Sequence, residues 1–333
     1  MAGTLGAQFV FLISLPVITV IYSPADYGVY TEVISYSTLL SVLLGFGLEK
    51  SLPLIEKRLL VSSVLYLLIL SGVVSIALFL LVSLLLDVLS LAYKELLYIS
   101  IVAYLIFLAN VISYYLGALN NFKKEGITRF IQAVTLCSGQ LGIGMFNAAS
   151  ISLLISDIIS RIVLVCYACP KKIEFLFVEV KKYFKTQKSF YTFGLFSSCL
   201  TSLAMNLPVL LIVKIFTSEA AALFFLAVKF TTAPVTLIGT SVAKVYFIEL
   251  TDLKYKPSRA IKFFLKNLSK LGWISIILCV LLVCIAYITP IILGEGWLQV
   301  KDYILILIPL CLAQLLYNPV SMTNTVFNKQ ILD

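Results

Sequence analysis

Ten apolar runs of about twenty residues follow one another along this chain, and no other feature constrains its fold as much. A helix rises ~1.5 Å per residue, so each run is long enough to cross a hydrocarbon layer ~30 Å thick. The runs fall at roughly 3–22, 28–48, 60–86, 96–117, 128–146, 149–169, 191–215, 220–243, 269–292 and 302–320. Strands of a membrane barrel would be about ten residues long and alternate in polarity, and these runs do neither. With 61% hydrophobic and 12% charged residues and a mean hydropathy of +1.06, the chain has far more apolar side chain than a water-soluble core absorbs. The expectation is an all-α polytopic membrane protein, a transmembrane helix bundle of about ten spans. The first run lacks a basic start and another span follows at once, so it reads as a span and not a cleaved leader.

The sequence pI of about 9.1 invites a nucleic-acid reading, but the positions of the charges argue against one. Assigning Lys and Arg to alternate loops puts twenty on one side and three (Lys94, Lys214 and Lys301) on the other; Arg161 and Lys229 stay inside spans. The rule that basic loops stay inside then places the loops after even-numbered spans, and the N-terminus, in the cytoplasm. No nucleic-acid partner is expected; membrane lipids are. The turns on the opposite side are short: 23–28, a stretch around Asp87–Glu95, 147–150, 217–221 and 294–297. They leave no domain there to hold a large catalytic site, so the chain reads as no enzyme.

Histidine is absent, which excludes imidazole metal sites and His-based acid–base chemistry. The seven cysteines lie within or at the ends of apolar runs and read as reduced thiols; Cys166-Tyr-Ala-Cys169 lacks the second pair a metal site needs. The glycines of Ser138–Gly144 (Gly139, Gly142 and Gly144) follow no strand and make a small-residue packing face, not a phosphate loop. No GxxxxGK[ST] occurs, so the chain does not hydrolyse nucleotide itself. Neither a cofactor nor a metal is expected.

Two longer basic, aromatic-rich linkers, 170–190 and 244–268, suit amphipathic helices lying on anionic lipid or solvated loops. The first divides the chain into a six-helix lobe (1–170), a cytoplasmic linker (171–190) and a second lobe of about four spans (191–333). The lobes share a short repeat. Leu15-Pro16-Val17 precedes an acidic turn and a returning span, and so does Leu207-Pro208-Val209. Parallel repeats of this kind in transporters place substrate near the midplane between halves.

Ionisable groups inside spans are the candidate working parts. Lys229 lies ten residues, ~15 Å, past Glu219, near the bilayer midplane, where a cation costs about 2.5–3.5 kcal/mol. It reads either as a substrate contact or as an ion pair that packs two helices. Pro234 lacks an N–H and predicts a kink one turn later; Pro16 and Pro208 predict the same in their spans. Asp157 and Arg161 stand four residues apart on one helix face, flanked by Ser152, Ser156 and Ser160, and form either a structural ion pair or part of a path. Glu32 reads as an interfacial carboxylate or a coupling-ion site. Gln8, Asn110, Gln132, Gln140, Asn206 and Gln314 read as interhelical amides.

Several stretches carry a resemblance: 15–30, LGFGLEKSLP (44–53), LGALNNFKK (116–124), SDIISR (156–161), 207–247 and LAQLLYNPVSMTNTVFNKQ (312–330). Together they resemble polysaccharide-biosynthesis flippases of the multidrug/oligosaccharidyl-lipid/polysaccharide exporter superfamily, the O-antigen and capsule repeat-unit translocases. The resemblance implies a two-lobed bundle in a bacterial cytoplasmic membrane. It would move an undecaprenyl-pyrophosphate-linked oligosaccharide by alternating access, alongside the polymerase and chain-length proteins of such a pathway. It implies a cationic central cavity, for which Lys229 and Arg161 are the positions here, and Asp157 or Glu32 as carriers of a coupling ion. Family members usually have twelve or more spans, so a stop after the tenth reads as a truncated second lobe. The rivals are a multidrug exporter of the same superfamily, which would want carboxylates in its cavity, a membrane polysaccharide polymerase or glycosyltransferase, and a purely structural protein.

Overall fold

The structure, a computed structural model, describes residues 2–83, 93–169, 176–186, 194–252 and 257–326. Helices α1 (Ala2–Ile21), α2 (Pro24–Leu44), α3 (Leu60–Ser83), α4 (Tyr93–Ala118), α5 (Phe122–Phe146) and α6 (Ser150–Ala168) precede a short helix, α7 (Phe177–Thr186). Then come α8 (Leu195–Ile215), α9 (Ser218–Asp252), α10 (Pro257–Leu293) and α11 (Val300–Val326). The signals that start these helices are local. Ser23 caps α2 by accepting from Asp26 N at 3.2 Å, with Pro24 at the first helical position. Asn121 caps α5 by accepting from Lys124 N at 3.1 Å. The expected residues 87–92 of one outer stretch, Lys171, Lys172, Lys188, Lys254, Lys256, Lys329 and the closing Ile331–Asp333 lie outside the described residues.

Among the described residues, the ten long helices match the ten expected spans one for one. Seven of these, by the described residues, are individually long and apolar enough to cross a membrane. α2 qualifies only together with the 3-10 turn Leu48–Leu54, from which it is bent by 58°. The apolar part of α1 is Gly6–Ile21, and α5 opens on Lys123, Lys124, Glu125 and Arg129. Two expected boundaries are corrected. α5 begins at Phe122 and not at 128, which takes Lys123, Lys124 and Glu125 into the helix. The 244–268 linker is largely absorbed by α9 and α10; α10, at 37 residues, is ~55 Å long and overshoots the bilayer on the lysine-rich side.

The chain packs as two units, Met1–Ala222 and Leu223–Asp333. In the first, α2 is the axis, with α4, α6 and α8 laid along it, while α5 pairs with α1 and α6. Close crossings rest on missing side chains. A Cβ at Gly3 would come within 2.3 Å of the Gly126 backbone, and one at Gly28 within 2.1 Å of Ser218 O. Of the small-residue face on α5, Gly139 meets Ser156 and Gly144 meets Tyr22, while Gly142 has nothing within 4 Å of its would-be Cβ. The division falls later than the 171–190 linker because α8 lies against α2. In the second unit, α10 and α11 enclose Val235, Leu278, Leu282, Ile308, Cys311 and Leu315, and Tyr246 stacks on Phe263 at 5.6 Å. Pro16, Pro208 and Pro234 each lie inside a continuous helix: α1, α8 and α9.

α7 is amphipathic as expected, but protein and not lipid takes its apolar stripe. Val180 and Phe184 are fully buried in the first unit, and Phe184 stacks on Tyr66 of α3 at 5.5 Å. Leu176 N donates to Ser62 Oγ at 3.2 Å, and Glu179 lies 4.0 Å from Arg58. Lys181, Lys182 and Lys185 are left exposed on the other face. Burial pushes the Tyr183 phenol up, with Ser51 pulling in the opposite direction.

Candidate functional site: the polar interior of the first unit and the lysine of α9

The interior of the first unit is polar where a bundle in lipid would otherwise be Leu and Val. On α6, Ser152, Ser156, Asp157 and Ser160 are all buried, as their spacing requires if one face turns inward. Arg161 reaches back one turn and grips Asp157 with two bonds, Nε to Oδ2 at 2.6 Å and Nη2 to Oδ1 at 3.1 Å. This two-pronged geometry fixes both side chains and answers each charge in place. Ser156 and Ser160 donate to the carbonyls of Ser152 and Asp157.

On α2, Thr31, Ser35, Ser37 and Ser41 are buried, and Ser37 donates to Val33 O at 2.7 Å and across to Ile99 O of α4 at 3.1 Å. Gln140 of α5 is 1% exposed, and neither atom of its side-chain amide has a hydrogen-bond partner among the described residues. Its backbone carbonyl accepts from Tyr22 OH at 2.8 Å. Glu32 is half-buried towards the outer end of α2, within electrostatic reach of Glu95 on α4 and Lys214 on α8.

Between α4, α5 and α6 lies a cavity of about 170 Å³, lined on its polar side by Asn110, Ser113, Thr128, Arg129, Gln132 and Arg161. Glu125 also lines it and organises one wall. Ser113 Oγ donates to Glu125 Oε1 at 2.6 Å, Arg129 Nη2 donates to Ser113 Oγ at 3.1 Å, and Arg129 Nε stands 3.7 Å from Glu125 Oε1. Reading by loops missed this wall; the four-residue spacing of Glu125 and Arg129, the same as that of Asp157 and Arg161, was the signal for it. On the α3 flank of α4 a separate groove of about 530 Å³ is lined by Gly72, Ile76, Phe79, Leu97, Ile101 and Tyr104 among others, and is almost wholly apolar.

Lys229 belongs to the second unit. It is exposed on α9, with Nζ 4.9 Å from the centroid of the Phe225 ring. Around it the polar groups bond back along the helix. Thr231, buried, donates to Ala227 O at 2.9 Å and Val228 O at 3.2 Å, and Thr232 donates to Val228 O at 2.7 Å. Of the expected site residues, then, Asp157 and Arg161 are brought into direct contact, Glu32 lies elsewhere in the same unit, and Lys229 is in the other unit. Among the described residues, no group of three or more Cys, Asp or Glu side chains could hold a metal ion, and the seven cysteines are free.

Comparison with solved structures gives the fold a place. The chain is similar to a multidrug resistance MATE family transporter of the MOP superfamily in an inward-facing conformation, with a TM-score of 0.63 and 13% identity over 99% of this chain and 80% of that one. It is similar also to a MATE protein solved in complex with MaD3S, with a TM-score of 0.57, 13% identity and the same coverage. No curated protein sequence is matched. At these identities the likeness speaks for a MATE-like transporter fold. The sequence itself matches a family described as polysaccharide biosynthesis protein over residues 17–302, most of its length, and the chain belongs to that family.

Proposed function

We propose that this protein is a flippase that carries an undecaprenyl-pyrophosphate-linked oligosaccharide repeat unit across the bacterial cytoplasmic membrane by alternating access, its lysine-rich side in the cytoplasm. The observation that carries the reading is Lys229, a cation ~15 Å into an apolar helix of a polysaccharide biosynthesis protein with a transporter fold. Burying that ammonium costs about 2.5–3.5 kcal/mol, and binding a pyrophosphate offsets part of it. Arg161 is the second cation lining the path; Asp157 answers its charge, so it holds the polar wall in place and leaves the pyrophosphate to Lys229. Asp157 and Glu32 are the candidate carriers of a coupling ion. Pro16, Pro208 and Pro234 are the points at which their helices bend. The sugar crosses through water while the isoprenoid tail stays in lipid, and a polymerase and chain-length proteins take the product towards O-antigen or a related lipopolysaccharide or capsule.

An exporter of organic cations would want carboxylates at the same depth that are open to its cargo, and Asp157 is instead gripped by Arg161. Lys229→Ala in the parent strain is expected to abolish surface polysaccharide at unchanged protein level, with Lys229→Arg retaining it. Normal polymer at a normal level of the Ala variant would remove the lysine from the mechanism.

A further inference from the structure

We propose that the cavity between α4, α5 and α6 is a subsite for one sugar ring of the cargo, a neutral ligand held through its hydroxyl groups and not through phosphate. This rests on the lipid-linked oligosaccharide reading above. The size fits: 170 Å³ is about six times a water's ~30 Å³ share of the liquid, the scale of a single pyranose. So does the kind of wall. The amides of Asn110 and Gln132 each offer donors and an acceptor, Ser113 and Thr128 bring hydroxyl oxygens, and Ile106, Ala109 and Leu116 supply an apolar surface for the C–H face of a ring.

Charge decides against a phosphate. Both guanidiniums of the cavity already face a carboxylate, Arg129 facing Glu125 at 3.7 Å and Arg161 hydrogen-bonded twice to Asp157. A polyanion entering here would have to displace carboxylates that the fold holds in place, whereas a polyol bonds to what the pairs leave over. The paired charges also fix the orientation of the wall, which gives selectivity among sugars that differ only in hydroxyl geometry.

The position suits cargo on a lipid. The cavity is built from the last turns of α4 and the first turns of α5, at the lysine-rich end. It lies one residue away, along two helices, from the apolar groove: Leu105 lines the groove and Ile106 the cavity, while Arg161 lines the cavity and Ile162 the groove.

The test uses the full chain in lipid nanodiscs, titrated with methyl glycosides of common hexoses and N-acetylhexosamines, followed by saturation-transfer NMR, with inorganic pyrophosphate as the charged probe. At least one glycoside is expected to bind saturably, and Asn110→Leu with Gln132→Met to weaken it about tenfold or more, the scale of one to two lost hydrogen bonds. Pyrophosphate is expected not to displace it. If the amide variant does not fold, Ala109→Phe fills the cavity without touching the polar groups and abolishes the same binding. Absence of saturable binding by every glycoside, unchanged affinity in the variants, or displacement by pyrophosphate that Arg129→Gln removes, each overturns the subsite. Flipping of lipid-linked oligosaccharide in vesicles separates the two readings. Glycoside binding without flipping sinks the transport reading, and wild-type flipping rate and affinity in Asn110→Leu/Gln132→Met sink the subsite.

Discussion

Asp157 shows what a single buried charge requires of its neighbours. It is 2% exposed and both its oxygens are taken by Arg161. Asp157→Asn leaves a partly buried guanidinium without its anion, a change that costs less than the ~3–5 kcal/mol of a fully buried pair because Arg161 keeps some contact with the cavity. The double variant Asp157→Asn/Arg161→Gln should recover much of that. Thermal unfolding in detergent measures both, and losses that simply add would show the two residues are not coupled. Gly28 is a second such place, since any side chain there meets Ser218 O; Gly28→Leu should lower the melting temperature, whereas Gly142→Leu, with open space around it, should not. The Asp157–Arg161 contact was legible because an i,i+4 pair is decided within one turn of helix. Gln140 was not, because a lone amide in an apolar run does not say which neighbours it will meet.

At the scale of elements, α7 is the instructive case. Its sequence announced an apolar stripe, but a stripe does not say whether protein or lipid will cover it, and only the positions of Tyr66 and Ser62 on α3 decide. Phe184→Ala should detach the helix, losing about 3–5 kcal/mol of local stability and raising hydrogen exchange across 177–186. Exchange there that stays at the wild-type rate would put the anchor elsewhere. The raised Tyr183 phenol adds a pH dependence. Its neutral form is favoured in the docked state, so its contribution is complete below the ordinary tyrosine value of 10.0 and is lost as pH rises through the higher docked value. Protection factors across 177–186, taken relative to intrinsic exchange at each pH, should therefore fall in alkaline buffer, and Tyr183→Phe should remove that component. The lengths of α9 and α10 were hidden for a different reason: lysines that mark a loop by charge are equally at home on a helix that has left the membrane.

For the whole molecule, the span count and the all-helical class were readable from hydropathy, because satisfying every backbone group in lipid leaves few alternatives. The partnership of α8 with α2 was not readable, since helices that are apolar all round carry no hydrophobic signal of which neighbour they choose. The twenty-to-three bias in basic residues predicts the orientation. In a chain stripped of its own cysteines, a Cys at position 185 should be labelled by an impermeant reagent only after the cells are opened, and one at 295 in intact cells. The reverse pattern would invert the expected topology.

The cancellation of Arg129 by Glu125 and of Arg161 by Asp157 also bears on ionic strength. A step that draws a dianion towards an exposed ammonium weakens as salt rises, because screening sets in over ~8 Å at physiological concentration. A pocket whose charges cancel in pairs has little net field to screen. On the proposed mechanism, concentrated salt should therefore slow capture of the pyrophosphate while leaving the preference for one sugar over another intact.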